Sequence, residues 1–182
     1  MTQELDKHTL LKERARMLAA RGSQAAARQL YDHVVTIEVG GQRYGIALTQ
    51  LREIARAAPI APLPGLPGFM LGVCSVRGDL HCVIDLGVLR GSAHAGSANF
   101  FALVEVAERS LAIACDDIIG IHEVHSDELA PNLLTDAART AFTRAITREN
   151  VHILDVERLL QDERLSIRQL ANHSLGHGAA QP

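Results

Sequence analysis

Three side chains that could bind a metal ion or act as nucleophiles lie close together in this sequence: Cys74, His81 and Cys82. Thiolates and imidazoles are the ligands that zinc prefers. The stretch alternates like a β-strand, however, so His81 should point to the opposite face from Cys82, and the three groups would not converge. We therefore expect small buried thiols in an aliphatic core rather than a metal site.

The other titratable groups are also poorly arranged for catalysis. His122 and His125 are three positions apart at the end of a predicted strand, so they should not converge. Asp116 and Asp117 are adjacent and should diverge, which makes them a poor carboxylate pair for acid–base chemistry. The sequence also lacks a glycine-rich phosphate loop, a dinucleotide fingerprint and a Gly-x-Ser-x-Gly motif. It therefore predicts no catalytic residue, no cofactor and no metal ion.

Arg77 is the charged side chain whose position is hardest to explain by solvation alone. It stands between an apolar strand and Gly78, at a predicted hairpin tip where Asn, Asp or Gly is usual. One interpretation is a solvated turn residue. The other is a guanidinium that pairs with a carboxylate of a neighbouring element or of a partner protein. The sequence leaves both interpretations open.

The elements that must position these residues are repeated within the chain. The segment around Asp85 matches the segment around Asp155, 70 positions later, and residues 46–54 match residues 113–121, 67 positions later. Two nearly equal offsets in the same order indicate one fold unit used twice. Each aspartate lies where a strand is followed by a helix, so we expect both to cap a helix N-terminus.

Alternating apolar residues and turn glycines predict short strands along most of the chain. Helices are predicted at residues 6–21, at 49–56 with Thr49 as the N-cap, and after Asp155. If the second hairpin turns at Gly78, the residues sharing its core face are Cys74, Val76, Leu80, Cys82 and Ile84. The strands are expected at residues 33–39, 42–48, 70–76, 80–84, 100–106, 110–115, 118–124, 141–147 and 151–154.

This pattern predicts a mostly β protein with two small five-stranded antiparallel, SH3-like β-barrels packed side by side, flanked by N- and C-terminal helices. We expect an N-terminal helix and linker over residues 1–32, the two barrels over 33–165, and a helix end and flexible tail over 166–182. Hydrophobic residues make up 47% of the chain but aromatic residues only 3%, so the core should be aliphatic.

Charge and hydropathy limit the classes of partner. The net charge of −3 argues against nucleic-acid binding, which needs a basic face. No apolar run approaches the ~20 residues of a membrane span, and charged residues interrupt the N-terminal region where a signal peptide would be apolar. Together with an odd number of cysteines, three, these features predict a cytoplasmic protein without direct membrane insertion.

Several motifs, in this order, resemble the CheW family of chemotaxis coupling proteins. The most specific is Gly-Val-x-x-Val-Arg-Gly at residues 72–78, followed by Val-Ile-Asp-Leu at 83–86. The resemblance runs from about residue 33 to residue 165. Shorter stretches similar to the family pattern are Tyr-Gly-Ile at 44–46, Arg-Glu-Ile at 52–54, Cys-Asp-Asp-Ile at 115–118, and residues 151–160.

The resemblance implies a non-catalytic adaptor without a cofactor. Its partners would be the regulatory domain of a CheA-type histidine kinase and the cytoplasmic tip of methyl-accepting chemoreceptors, in membrane-bound receptor arrays. Glu53, Gly72 and Arg77 match the family signature and are the expected partner-binding residues. A chemosensory array for surface motility is as compatible as one for chemotaxis. The alternative is a ligand-binding or enzymatic β-barrel; few aromatic residues oppose an oligonucleotide-binding barrel, which stacks bases on such side chains.

Overall fold

Two five-stranded sheets dominate the computed structural model of the chain, which describes residues 29–92, 98–130 and 141–165. The predicted mostly β fold with two five-stranded units is confirmed. The predicted helix at 6–21 and the segment after residue 165 lie outside the described residues, so the division of the chain at residues 32 and 165 stays a prediction.

Each half of the described chain contains five strands and one short α-helix. Single 3-10 turns occur at Leu48–Gln50, Ser126–Glu128 and Glu163–Leu165. The first half comprises β1 (Leu30–Val39), β2 (Gln42–Ala47), β3 (Leu51–Arg56), β4 (Met70–Val76), β5 (Asp79–Ile84) and α1 (Leu86–Leu89). The second half comprises β6 (Phe100–Val106), β7 (Arg109–Cys115), β8 (Asp117–His125), β9 (Thr143–Ile146), β10 (His152–Leu154) and α2 (Val156–Leu160).

The strands of the two halves are exchanged between the sheets. The first sheet has the order β8-β1-β2-β10-β9, and the second has the order β3-β6-β7-β5-β4. Each sheet therefore takes two strands from one half and three from the other. Neighbouring strands are antiparallel except β2 with β10 and β5 with β7, which are parallel. The sequence does repeat, but each repeat contributes strands to both sheets and does not form one sheet by itself.

The strand registers reproduce the repeat. Val34 faces Ala47 in the β1–β2 hairpin, and Phe101 faces Ala114 in the β6–β7 hairpin, 67 positions later. Asp85 and Asp155 also occupy matching places. The Asp85 carboxylate accepts a hydrogen bond from the Val88 backbone N–H at 3.0 Å, and that of Asp155 accepts one from Arg158 N–H at 2.9 Å. Both predicted N-caps are confirmed.

The predicted helix at 49–56 is wrong. Only the 3-10 turn Leu48–Gln50 is helical, its N-cap residue is Ala47 without a side-chain cap, and Leu51–Arg56 is β3. Thr49 is therefore not an N-cap. β3 pairs with β6, whose residues lie about fifty positions away in the sequence. Pairing with β6 overrides the local helical pattern, because intrinsic helix propensity is weak compared with tertiary interactions.

The predicted register of the β4–β5 hairpin is also wrong. The turn consists of Arg77 and Gly78 rather than being centred on Gly78, so Cys74 faces His81, and Cys82 points to the opposite side. A slip of one residue moves every side chain of a strand to the other face. Leu80, expected in the core, is consequently 76% exposed, and His81 is buried.

The main hydrophobic core is built from both sheets and both α-helices. Val35 and Ile37 of β1 contribute from one side, and Ala102 and Ile113 from the other. Smaller clusters bury the opposite faces, one of them around Phe101 in the second sheet. As expected from the composition, the core is largely aliphatic. Within the described residues, no helix is long and apolar enough to cross a membrane.

Candidate functional site

The β4–β5 turn places Arg77 on the surface in an unusual backbone conformation. Arg77 has φ of +54° and Gly78 has φ of +95°, as in two-residue hairpin turns with two left-handed positions. Residues other than glycine, Asn and Asp rarely adopt this region, because Cβ crowds the backbone. The turn thus holds a long cationic side chain at its tip, and that side chain is 81% exposed.

The Arg77 guanidinium binds a carboxylate of the same chain. Its Nε lies 2.8 Å from Oε2 of Glu53, which belongs to β3 and whose side chain is 21% exposed. Of the two interpretations left open by the sequence, pairing with a neighbouring element is therefore the one observed. The contact joins β3 to the turn that follows β4. These two strands lie at opposite ends of the strand order of the second sheet.

A β-bulge in β3 positions the neighbouring arginine. Leu51 faces Val104 and Glu53 faces Leu103, so Arg52 is the extra residue without an opposite partner. Bulges commonly redirect side chains in this way. The bulge therefore allows the side chains of Arg52 and Glu53 to reach the same part of the surface, although the two residues are adjacent in the sequence.

Arg52 extends the ion pair into a cluster. Its Nη2 lies 2.9 Å from Asp79 Oδ2, and its Nη1 lies 3.3 Å from Glu105 Oε2. We call Arg52, Glu53, Arg77, Asp79 and Glu105 the charged cluster; it holds two positive and three negative side chains. Exposed ion pairs contribute only about 0.2–1 kcal/mol each to stability. The charged cluster is therefore a minor source of folding free energy.

Two of the three residues expected at a partner-binding site, Glu53 and Arg77, belong to the charged cluster, and Gly72 does not. Arg52, Asp79 and Glu105 were missed by the sequence reasoning. The bulge and the meeting of β3 with the β4–β5 turn depend on non-local pairing, which the sequence pattern does not reveal. The only local signal was the adjacency of Arg52 to Glu53 in the family-like stretch.

Close packing explains why residue 72 is a glycine. Its φ is +136°, and a Cβ there would lie 2.2 Å from the backbone oxygen of Ala61. Ala61 and Val73 exchange two backbone hydrogen bonds, of 2.8 and 3.0 Å, which hold the proline-rich connector against β4. Glycine is thus required for this close approach. A partner-binding role for Gly72 stays a prediction.

The thiols are poor nucleophiles in this environment. Burial raises the pKa of Cys115 to about 12, and burial also raises the pKa values of Cys74 and Cys82. All three are free and largely protonated near neutral pH. Among the described residues, no group of three or more His, Cys, Asp or Glu side chains is placed to hold a metal ion.

Asp116, Asp117 and His122 make structural contacts. Asp116 accepts a hydrogen bond of 2.7 Å from the Gly40 backbone N–H, which ties it to the β1–β2 turn. Asp117 accepts one from the N–H of the next residue, Ile118. His122 Nε2 lies 3.1 Å from Thr36 Oγ1 across two paired strands. These contacts organise the first sheet.

Comparison with known proteins places the same region in one family. A family model described as CheW-like domain matches residues 33–164. Protein FrzA of Myxococcus xanthus is 28% identical over 133 residues, covering 69% of this chain and 83% of that protein. Chemotaxis protein CheW of Treponema pallidum is 22% identical over 152 residues, covering 76% of this chain and 86% of that protein.

A solved structure shares the fold. The crystal structure of scaffolding protein TtCheW from Thermoanaerobacter tengcongensis superposes with a TM-score of 0.63 at 20% sequence identity. The match covers 73% of this chain and 94% of that one. The overall fold is therefore shared with that structure.

Proposed function

Because the chain belongs to the family of CheW-like domains, we propose that it is a non-catalytic adaptor that couples chemoreceptors to a CheA-type histidine kinase. Its partners are the regulatory domain of the kinase and the cytoplasmic tip of methyl-accepting receptors. It works in the cytoplasm, at membrane-bound receptor arrays. The similarity to scaffolding and chemotaxis proteins supports this assignment.

The observation that carries the proposal at the level of residues is the Arg77–Glu53 pair. Arg77 occupies a left-handed turn position that costs conformational free energy, and its exposed ion pair returns little stability. Glu53 engages Nε, and the guanidinium also carries two terminal amino groups that can bind a partner carboxylate in a planar fork. We assign Arg77 as the partner-binding residue and Glu53 as the residue that orients it.

Gly72 contributes indirectly. It holds the proline-rich connector against β4, the strand that leads into the Arg77 turn. The expected binding surface therefore comprises the charged cluster, with Gly72 supporting the element beneath it. The alternative function, a ligand-binding or enzymatic barrel, has no specific observation in its favour among the described residues.

The test is affinity for each partner, measured with Arg77→Ala, Arg77→Lys and a control, Arg158→Ala. Arg158 is an exposed arginine of α2, outside the charged cluster. Loss of an interface hot spot costs about 2–4 kcal/mol, which corresponds to roughly a thirty- to thousand-fold weaker Kd. We expect that loss for Arg77→Ala against the kinase regulatory domain or the receptor tip, and no rescue by lysine, since an ammonium lacks the fork.

Melting curves accompany these measurements. The charged cluster is exposed, so Arg77→Ala should unfold within a few degrees of the parent protein. Glu53→Gln should weaken binding less than Arg77→Ala, because it removes the orienting contact and keeps the cation. Unchanged affinity of a folded Arg77→Ala variant for both partners would remove Arg77 from the interface.

A further inference from the structure

Leu80 is the most exposed large hydrophobic side chain among the described residues, at 76%. It follows Asp79 at the start of β5 and faces Ser75 of β4, which is also exposed. The β4–β5 hairpin therefore leaves Leu80 uncovered, and the stability of this hairpin does not explain why an apolar side chain occupies the position.

Leu80 adjoins both the charged cluster and a groove of about 690 Å³. Asp79, the residue before it, belongs to the charged cluster and binds Arg52 at 2.9 Å. Leu80 itself lines the groove, together with residues of the β6–β7 turn and of the segment after α2. The groove and the charged cluster also meet on the β6–β7 hairpin, where Glu105 of the cluster faces Ser110 of the groove.

The groove is lined by about equal parts of polar and apolar surface, and Leu80 begins the apolar part. Leu80, Cys82 and Ile84 lie on one face of β5, because alternate residues of a strand point the same way. All three line the groove, and Leu111 of β7 lines it as well. Ile84 and Leu111 belong to the main core. Leu80 is therefore the exposed end of an apolar row that continues into the core.

Charged side chains line the polar part of the groove: Glu108, Arg109, Asp162 and Glu163. Arg109 donates a hydrogen bond from Nη1 to the last carbonyl of α2 at 3.2 Å, and the Asp162 carboxylate binds Arg164 at 2.8 Å. These two charges are thus engaged within the chain. Glu108 and Glu163 are exposed, so they are the carboxylates that a bound partner meets at the groove.

We propose that Leu80 is the apolar centre of the partner-binding surface, with Arg77 on one flank and Glu108 and Glu163 on the other. The partner that fits this surface presents apolar side chains between a carboxylate, which binds Arg77, and a basic side chain, which binds the glutamates. The centre of a protein interface is depleted of charges and its rim is polar, which matches this arrangement. The inference rests on the proposed adaptor function and adds to it an apolar contact and an acidic flank.

The experiment measures the affinity of the kinase regulatory domain and of the receptor tip for the full chain and its variants. We expect Leu80→Ala to weaken Kd at least about tenfold towards the partner that Arg77→Ala also weakens, because the centre of the interface loses its contact. Leu80→Met keeps an apolar side chain of similar volume and should stay within about threefold of the parent protein. The matched control is Ile121→Ala, since Ile121 is 67% exposed on β8 of the first sheet.

The acidic flank is tested by Glu108→Lys. This variant should bind the same partner about three- to tenfold more weakly, and added salt should reduce the difference, because exposed charges are screened. Glu149→Lys is its control, since Glu149 is an exposed glutamate of the β9–β10 turn. All of the replaced side chains are exposed, so each variant should melt within a few degrees of the parent protein.

Several results would overturn the inference. A folded Leu80→Ala variant that binds both partners as the parent protein does excludes Leu80 from the interface and leaves the adaptor function standing. A loss towards a partner that Arg77→Ala does not affect places the two residues on separate surfaces. Self-association of the chain that Leu80→Ala abolishes assigns the surface to a second copy, and unchanged binding by Glu108→Lys removes the acidic flank.

Failure of the adaptor function itself is seen separately. In that case the unaltered chain binds neither the kinase regulatory domain nor the receptor tip, and the inference falls with the function.

Discussion

At the scale of single residues, Gly72 and Arg77 both have positive φ, and for opposite reasons. Gly72 is required because a backbone oxygen lies where its Cβ would stand. Arg77 also has a positive φ, but at a hairpin tip where its side chain is 81% exposed. A family-like motif that spans both therefore combines one packing requirement with one surface group.

Replacing Gly72 by Ala should destabilise the protein by at least about 2 kcal/mol, because the connector or β4 must shift and a left-handed φ is imposed on alanine. The measurement is chemical denaturation of the folded domain. Gly40→Ala is the matched control: its φ is +57°, a Cβ there meets nothing within 4 Å, and its repeat equivalent is already an alanine, Ala107, at φ of +55°.

We expect Gly40→Ala to cost no more than about 1–2 kcal/mol. Equal unfolding free energies for Gly72→Ala and the parent protein would show that the Ala61 contact relaxes freely. The close approach would then not explain the glycine.

At the scale of elements, the bulges of β3 and β8 occupy matching places in the repeat. Arg52 is the extra residue in β3, and Ile119, 67 positions later, is the extra residue in β8. Both bulged strands lie at a sheet edge, next to the strand that begins a hairpin. The repeat therefore includes a β-bulge, and in the first half this bulge contains Arg52 of the charged cluster.

Deleting Arg52 should be far more damaging than replacing it. The Arg52→Ala variant keeps the bulge and loses only two exposed ion pairs, so we expect a change below about 1 kcal/mol. Deletion forces β3 either to pair without its bulge or to shift by one residue, which would turn Leu51 away from the core. Thermal unfolding of both variants tests this. Comparable melting temperatures for the two would show that the bulge is dispensable.

At the scale of the whole molecule, the exchange of strands makes the two halves mutually dependent. β1 and β2 obtain their sheet neighbours β8 and β10 from the second half, and β6 and β7 obtain β3 and β5 from the first. The main core likewise draws residues from both sheets. Neither half can complete a sheet alone, and a two-stranded hairpin is marginal at best in water.

Chains 1–95 and 96–182 should therefore each lack cooperative unfolding, and an equimolar mixture should recover a cooperative transition. The measurement is circular dichroism melting of each chain and of the mixture. As a control, the full protein cut within residues 93–97 through an inserted protease site should stay folded, because the ladders do not depend on that connection. A cooperative transition in either isolated chain would contradict the mutual dependence.

Local sequence determined much of the secondary structure of this protein. The strands that form the β1–β2 and β6–β7 hairpins, the aspartate caps and the internal repeat were all predictable, because turn residues, strand alternation and N-caps act between near neighbours in the chain. The same holds for the placement of Arg77 at a hairpin tip. The family-like motifs pointed to Glu53 and Arg77, although not to their contact.

The tertiary structure decided what depends on distant partners. β3 is a strand because β6 pairs with it. The β4–β5 register, by contrast, is local; it was missed because the left-handed conformation of Arg77, which leaves Leu80 exposed, is rare for an arginine. The charged cluster exists because the β4–β5 turn meets β3 from the far end of the strand order. Strand pairing across tens of residues has no local signature, since any strand edge offers the same backbone donors and acceptors.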